Sequence, residues 1–415
     1  MSTRKTILST WPIFAGIIII LLGNGLQTTL IGVRGAILNF DPSILGGILS
    51  CYFIGYIAGC IITPRLIKNV GHIRVYAAFA SVSSSIVLIY TITGNPGIWV
   101  ALRILSGFAF ASIFIVSESW LNAASTVKNR GKVLSAYMIS VFVAQATAQF
   151  FLNFGDPASF ELFILVSVLI SLALVPLSLS KRPTPKYETP NPISIKRLFS
   201  IAPLGIIGCF AGGLTSTTFI VIAPVFAYGQ GLTDAQIALF MAASIIAGML
   251  FQIPTGWISD KIDRRKVLVF NVTLAAVACF SGALAVAHGG LGPLFFIAAF
   301  FASGLMLTIY SLSATHANDR LDESEIINAS AALILINGCG SLVGPFAVGL
   351  IMKLIGPSAF LLFPGCVCLG VASFALYRMA VSKPVAPEER GEYMALPDKP
   401  SHIVAEMAAK EAHTD

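Results

Sequence analysis

Long apolar runs dominate this chain, separated by short turns where polar residues, glycine or proline gather. Twelve runs stand out, near residues 12–33, 43–63, 74–94, 97–121, 132–153, 159–180, 199–227, 234–258, 267–287, 291–317, 326–354 and 358–380. Each approximates the roughly 20 residues that a helix needs to cross the hydrocarbon of a bilayer. Backbone N–H and C=O groups have no water to bond in hydrocarbon and must be satisfied within the structure, so the runs predict helices. The fold class expected is an all-α membrane protein of twelve transmembrane helices. Between the sixth and seventh runs lies "KRPTPKYETPNPISIKR", rich in proline and base, which predicts a solvated cytoplasmic linker over 181–197. Residues 1–180 and 198–380 then form two six-helix bundles. Residues 381–415 hold too little apolar surface to fold alone and are expected to be a flexible cytoplasmic tail.

Composition agrees with the pattern. The chain is 56% hydrophobic and only 11% charged, with a mean hydropathy of +0.86, whereas soluble domains carry about 25% charged residues. The first run follows Arg4 and Lys5, exceeds a signal-peptide core in length and lacks a small-residue cleavage site, so it reads as a retained span. All seven cysteines fall in predicted spans without metal-type spacing. No GxxxxGK[ST] loop, nucleotide domain or metal-ligand cluster is present, so no enzyme, catalytic residue, metal or cofactor is expected. Of the 26 Lys and Arg, all but Arg34, Arg103 and Lys353 fall at the N-terminus, in the even-numbered turns, in the linker or in the tail. Basic residues favour the cytoplasmic side, which places both termini in the cytoplasm. The net charge of +7 is then a product of topology and not a nucleic-acid surface.

The halves echo one another. "GLQTTLIGV" (25–33) parallels "GLTSTTFIVI" (213–222), and "PRLIKNVGHIR" (64–74) parallels "PTGWISDKIDRR" (254–265). Internal repeats in a helical membrane protein point to a transporter with its site near mid-membrane between the repeats.

The turn "GWISDKIDRRKV" resembles the signature turn of the major facilitator superfamily, filled here by Gly256, Ser259, Asp260, Lys261, Asp263, Arg264 and Arg265. "RILSGFAFA", with Arg103, Gly107 and Ala111, is similar to that family's fourth-span pattern. "ESWLN" (118–122), "NRGKVLSAYM" (129–138) and "HANDRL" (316–321) resemble its poorly characterised bacterial YcaD-like branch. The resemblance implies a secondary active or facilitative transporter of a small organic solute, working by rocker-switch alternating access. Two departures stand out. The first-half copy of the turn carries Lys68 where the second has Asp260, and the antiporter-associated glycine–proline pattern is absent from span five, a related "GSLVGPFAVG" lying in span eleven.

The charged turns suggest a gate. Asp260, at a helix end, can accept hydrogen bonds from neighbouring amides and pair with Arg264 or Arg265. The resemblance implies a latch shutting the cytoplasmic side, and a plain topological anchor is the simpler alternative. Arg65, Lys68 and Arg74 stand in the first-half copy. Glu118 is a carboxylate inside a predicted span, near its cytoplasmic end. It reads as a gate partner of Arg130 or of the 64–74 turn, as a proton carrier, or as a solvated helix end. His316, Asp319 and Arg320 occupy the corresponding end of span ten and take the same gate reading.

Substrate-cavity candidates are polar residues at helical spacing: Asn24, Gln27 and Thr28 on span one, Thr215, Ser216 and Thr218 on span seven, and Gln145 with Gln149 on span five. Tyr52, Gln252, Tyr310 and Asn337 are single additions. Any of them can instead bond helix to helix. Arg103 lacks an acidic partner at its depth, leaving substrate binding, proton coupling or structural hydrogen bonding open. Coupling to a proton or ion, and import against export of drug, metabolite or nutrient, stay open as well. The competing class is a transport-inactive receptor or assembly protein on the same fold. The partners expected are a small-molecule substrate and the lipid bilayer, with the chain a monomer.

Overall fold

The computed structural model describes residues 11–126, 129–179, 193–386, 390–393, 395–397, 401, 403–404 and 407–408. Every element among them is helical, and twelve helices are long and apolar enough to cross a membrane. They are α1 (Trp11–Ile37), α2 (Pro42–Val70), α3 (His72–Ile92), α4 (Pro96–Ala124), α5 (Arg130–Phe154), α6 (Glu161–Ser178), α7 (Pro203–Gly229), α8 (Asp234–Lys261), α9 (Arg264–Ala287), α10 (Pro293–Asn318), α11 (Glu323–Ile355) and α12 (Ala359–Val381). Each predicted run overlaps one of these helices to within a few residues at either end; the runs near 74–94, 159–180, 199–227, 291–317 and 358–380 overrun their helix, and the others lie inside it.

Local chemistry sets the helix starts. Asp41 caps α2, accepting the Ser43 N–H at 2.9 Å, with Pro42 in the first turn where its missing N–H costs nothing. Asn95 and Pro96 begin α4 in the same way, and Thr233 with Gln236 forms a capping box on α8. Gly71 alone joins α2 to α3 at φ 87°, a conformation that side-chain-bearing residues rarely adopt. Most of the predicted linker, and residues 1–10, lie outside the described residues. The described end of the linker is a short helix, Ile195–Ile201, whose Arg197 pairs with Glu325 of α11 at 2.5 Å.

Within each half, glycine lets helices cross at backbone distance. A Cβ on Gly107 of α4 would lie 1.8 Å from the Tyr52 carbonyl oxygen of α2, and one on Gly55 would lie 1.8 Å from that of Ile104. The sequence repeat has a structural counterpart. Gly25 of "GLQTTLIGV" faces Ala148 of α5, while Gly213 of "GLTSTTFIVI" faces Asn337 of α11. Four residues on, Thr29 donates to Gln149 Oε1 at 2.5 Å across α1 and α5, and Thr217 donates to Ser341 Oγ at 2.9 Å across α7 and α11. The repeat therefore encodes the same small-residue crossing and hydroxyl cross-link in both bundles.

Candidate functional site between the bundles

The two bundles meet at one membrane face, here called the closed face. Asp41 and Lys353 form an ion pair there at 3.0 Å, joining the start of α2 to the end of α11. The same two helices pass so closely that a Cβ on Gly46 would sit 2.4 Å from the Pro345 carbonyl oxygen, and one on Gly349 the same distance from that of Pro42. Gly32 of α1 lies against Val225 and Pro224 of α7. The Asp41 carboxyl is held at about 2, first by the Ser43 hydroxyl and then by Lys353.

At the other, charged face, the chain's own C-terminal segment lies between the bundles. Arg264 donates to the Gly391 carbonyl, and Gly391 N–H donates to Asp319 Oδ1 at 3.2 Å. Tyr393 N–H donates to Asp260 Oδ1 at 2.8 Å, and its hydroxyl donates to Gln252 Oε1. Leu396 N–H donates to Ser311 Oγ at 3.0 Å. All of these partners belong to the second bundle. Ser401 then reaches the first, its hydroxyl donating to Glu118 Oε2, while Tyr137 of α5 donates to the other carboxylate oxygen. Leu396, Ser401, Ile403, Val404, Met407 and Ala408 are all buried.

This placement differs from the free tail that the sequence predicts. The segment is polar on average, but its described apolar side chains at 403, 404, 407 and 408 recur at helical spacing. That periodicity is the signal which average composition hides.

Arg264, and not Asp260, is the hub of the signature turn. Its side chain is 1% exposed and bonds Asp319 Oδ2 at 2.6 Å, Asp260 Oδ1 at 3.1 Å and Ser259 Oγ at 3.0 Å. Burial pushes the Asp319 carboxyl above its ordinary value, against the pull of Arg264. Burial also opposes ionisation of Asp263, yet the hydrogen bonds from Arg265 hold its carboxyl below the usual carboxylate value. Arg265 further donates to the Ser382 carbonyl at 2.8 Å, and Arg320 to that of Lys383 at 3.2 Å. Lys261 lies over the Trp257 ring at 3.5 Å, with Gly256 buried about one and a half turns before the end of the helix. Arg65, Lys68 and Arg74 are exposed, and His316 is buried. Glu118 has no ion pair with Arg130 among the described residues; its hydrogen bonds go to Tyr137 and Ser401.

The cavity candidates divide. Gln252 bonds both α10, through the Leu307 carbonyl at 3.3 Å, and the C-terminal segment. It lines a cleft of about 610 Å³ between α5 and α8, with Met138, Phe142, Met249 and Trp257, and Tyr393 contributes to the wall. Arg103 lies over the Tyr52 ring at 4.7 Å; its Nε has no hydrogen-bond partner among the described residues, nor has either end of the buried Gln27 amide. Gln149 bonds Thr29 and the Gln145 carbonyl, and Thr28 bonds the Asn24 carbonyl of its own helix. Thr215, Ser216 and Thr218 likewise bond carbonyls one turn back. Asn337 ties α11 to the Cys209 carbonyl of α7 at 3.2 Å, and Tyr310 packs on Gly212. Sequence reasoning missed Tyr137, Ser311, Tyr393 and Ser401, whose importance comes from where the C-terminal segment lies.

Two six-helix bundles related by an internal repeat, touching at one membrane face and parted at the other, define a multi-pass membrane transport protein. The chain belongs to the Major Facilitator Superfamily, whose model matches residues 13–233 and 204–410, a family of carriers rather than enzymes. It is 26% identical over 346 residues to the uncharacterised MFS-type transporter YcaD of Escherichia fergusonii, covering 82% of this chain and 88% of that protein. The YcaD of Salmonella heidelberg matches with the same identity and coverage. Among solved structures, the nucleoside transporter NupG superposes with a TM-score of 0.73 at 15% identity, over 92% of this chain and 100% of that one. A bacterial homolog of the human lysosomal transporter Spinster, inward-facing and occupied, gives 0.72 at 14% identity over 92% and 98%. These structures share the fold.

Proposed function

We propose that the chain is a secondary carrier of the bacterial inner membrane that moves a small organic solute by rocker-switch alternating access, with its charged face and both termini in the cytoplasm. One observation carries this reading. The bundles are joined at the closed face through Asp41–Lys353 and the α2–α11 crossing, yet are spaced apart at the charged face by an entire chain segment. That one-sided closure is what an inward-facing carrier requires, and inward-facing structures of similar fold support it. The concentration of Lys and Arg at the open face supports a cytoplasmic orientation. The cleft lining, apolar apart from a few groups such as Gln252, Asp260 and Tyr393, suits an amphipathic or weakly polar organic molecule.

The test begins with thermal-shift measurements on purified protein against nucleosides, pentoses and hydrophobic amines, since a bound ligand stabilises the folded form by mass action. A solute that raises the unfolding midpoint is then followed by counterflow in proteoliposomes. Solute-specific counterflow is expected. If stabilising ligands bind but never exchange across the bilayer, the receptor alternative replaces the carrier.

A further inference from the structure

The C-terminal segment has contacts that a passive tail would not make. Starting from Gly391, it meets Arg264, Asp319, Asp260, Gln252 and Ser311 of the second bundle, then reaches Glu118 of the first. Backbone groups supply many of these bonds, as when an extended peptide is bound in a groove. The two ends of the interaction belong to different bundles, so the segment is a cross-brace and not a flap lying on one of them. Its apolar side chains Leu396, Ile403, Val404 and Met407 fill the interval between the bundles and are almost fully buried. Tyr393 and Ala395 also form part of the wall of the α5–α8 cleft.

We propose that this segment is a tethered peptide ligand of the carrier's own cavity, seated between the bundles at the charged face and holding them apart until it is displaced. Three consequences follow from the geometry. The charged face cannot close while Leu396 and Met407 occupy the space that closure would eliminate. Solute entering from that face competes with the segment for Gln252 and for the cleft. Glu118 and Arg264, both at the charged face, have their hydrogen-bonding capacity engaged by the segment in the resting state.

Tethering makes such occupancy achievable without high intrinsic affinity. The segment is joined to the end of α12 at Val381 by fewer than ten residues, and so short a tether gives an effective concentration on the order of millimolar. A modest Kd therefore keeps the site filled, while a partner that captures the segment, or a solute present in excess, can still empty it. The ligand class is set by the bonds: a peptide with a non-helical stretch whose tyrosine meets Gln252, a hydroxyl to meet Glu118 and then apolar residues at helical spacing between the bundles. The block on closure rests on the alternating-access reading, whereas the seating itself does not.

The test uses the full-length chain in sealed membrane vesicles with the charged face outward. Ser401→Cys and, separately, the exposed Lys383→Cys are labelled with a membrane-impermeant maleimide, and each site is read by peptide mass spectrometry. Ser401→Cys is expected to react at least tenfold more slowly than Lys383→Cys, and adding Ser311→Ala and Gln252→Ala to it is expected to recover most of that difference. Equal rates in the otherwise unaltered chain would overturn the seating. For the brace, Tyr393→Cys and Gln252→Cys are joined by oxidation, and Ile48→Cys, buried near the α2–α11 crossing, reports opening of the closed face. In vesicles of the opposite orientation, with the closed face outward, labelling of Ile48→Cys is expected only after reduction. Equal labelling before and after reduction overturns the brace while alternating access stands. No labelling in either state removes the brace together with the alternating-access reading, and the Ser401→Cys result still decides the seating independently.

Discussion

Thr29 of α1 donates to Gln149 of α5 at 2.5 Å, and the repeat reproduces the bond as Thr217 to Ser341 in the second bundle. Both pairs are buried and lie beside glycine crossings that bring the helices together. Hydrogen bonds between membrane helices average about 0.6 kcal/mol by double-mutant cycle and rarely exceed about 1.7. Thr29→Val combined with Gln149→Leu is expected to show coupling of that size in detergent unfolding, with the Thr217→Val and Ser341→Ala cycle giving a similar value. Coupling in only one half would show that the repeat is no longer energetically symmetric.

Glycine crossings are expected to tolerate far less. A methyl group added at Gly107 meets the Tyr52 carbonyl at 1.8 Å, and one added at Gly55 meets that of Ile104. Backbone cannot rotate away as a side chain can, so Gly107→Ala must separate α2 from α4. The expected cost is at least the ~1–3 kcal/mol of ordinary overpacking, read as a lowered unfolding midpoint and a loss of monodisperse protein. Gly292→Ala, where nothing lies within 4 Å, serves as the control and is expected to be nearly silent.

The Arg264–Asp319 pair is almost wholly shielded from water, at 1% and 3% side-chain exposure. Removing Arg264 leaves Asp319 buried without a compensating charge, which costs about 3–5 kcal/mol, and removing Asp319 leaves Arg264 only the partly exposed Asp260 as a counter-charge. Asp319→Ala and Arg264→Met are each expected to destabilise strongly, and Arg264→Met with Asp319→Leu to recover much of the loss. Arg264→Lys is not conservative here, because an ammonium cannot reproduce the fan of bonds to Asp319, Asp260, Ser259 and Gly391. Unfolding midpoints of the four variants give the comparison.

The closed face should ignore pH over the range in which cells work. Asp41 titrates at about 2 in the folded chain against an ordinary 3.8. A depressed carboxyl contributes fully above its unfolded value, and that contribution fades only as pH falls from 3.8 towards 2. Labelling of Ile48→Cys from this face is therefore expected to be flat between about pH 5 and 8 with respect to this group. Lys353→Gln removes the ion pair at every pH and is expected to raise the labelling a few-fold. Because the pair is partly exposed, concentrated salt should have a similar but smaller effect.

Glu118 separates exchange from coupling. Glu118→Gln keeps an acceptor for Tyr137 and a polar partner for Ser401, but cannot gain or lose a proton. If this carboxyl carries the coupling proton, counterflow is expected to persist in the Gln variant, while accumulation driven by an imposed pH gradient disappears. Retention of gradient-driven accumulation would assign Glu118 to the charged-face gate alone.

Fold class was legible because hydrocarbon leaves a chain little choice: twelve apolar runs became twelve helices, and proline with asparagine or aspartate marked two of their starts. The signature turn was legible as a motif, but its internal order was not. Asp260 is conspicuous in the sequence, whereas burial of Arg264 against Asp319 depends on how the ends of α8, α9 and α10 converge. Arg103 announced its need for a partner without naming one, and the Tyr52 ring that meets it lies 51 residues away. Thr215, Ser216 and Thr218 show a different limit. A hydroxyl-rich helix looks like a cavity wall in sequence, yet each of these hydroxyls bonds a carbonyl of its own helix. The C-terminal segment was the least legible part, since mean polarity conceals a few apolar side chains at regular spacing and nothing local identifies the groove that receives them.

The crossing of α2 and α11 carries a mechanical consequence. Gly46 and Gly349 present bare backbone to each other at the closed face, with Pro345 and Pro42 supplying the opposing carbonyls. Two smooth surfaces of this kind can part and re-engage without any rotamer having to be unlocked, as meshed leucine or phenylalanine knobs would require. The contact thus behaves as a bearing: firm in compression, nearly frictionless in separation, and lost as soon as either glycine acquires a side chain.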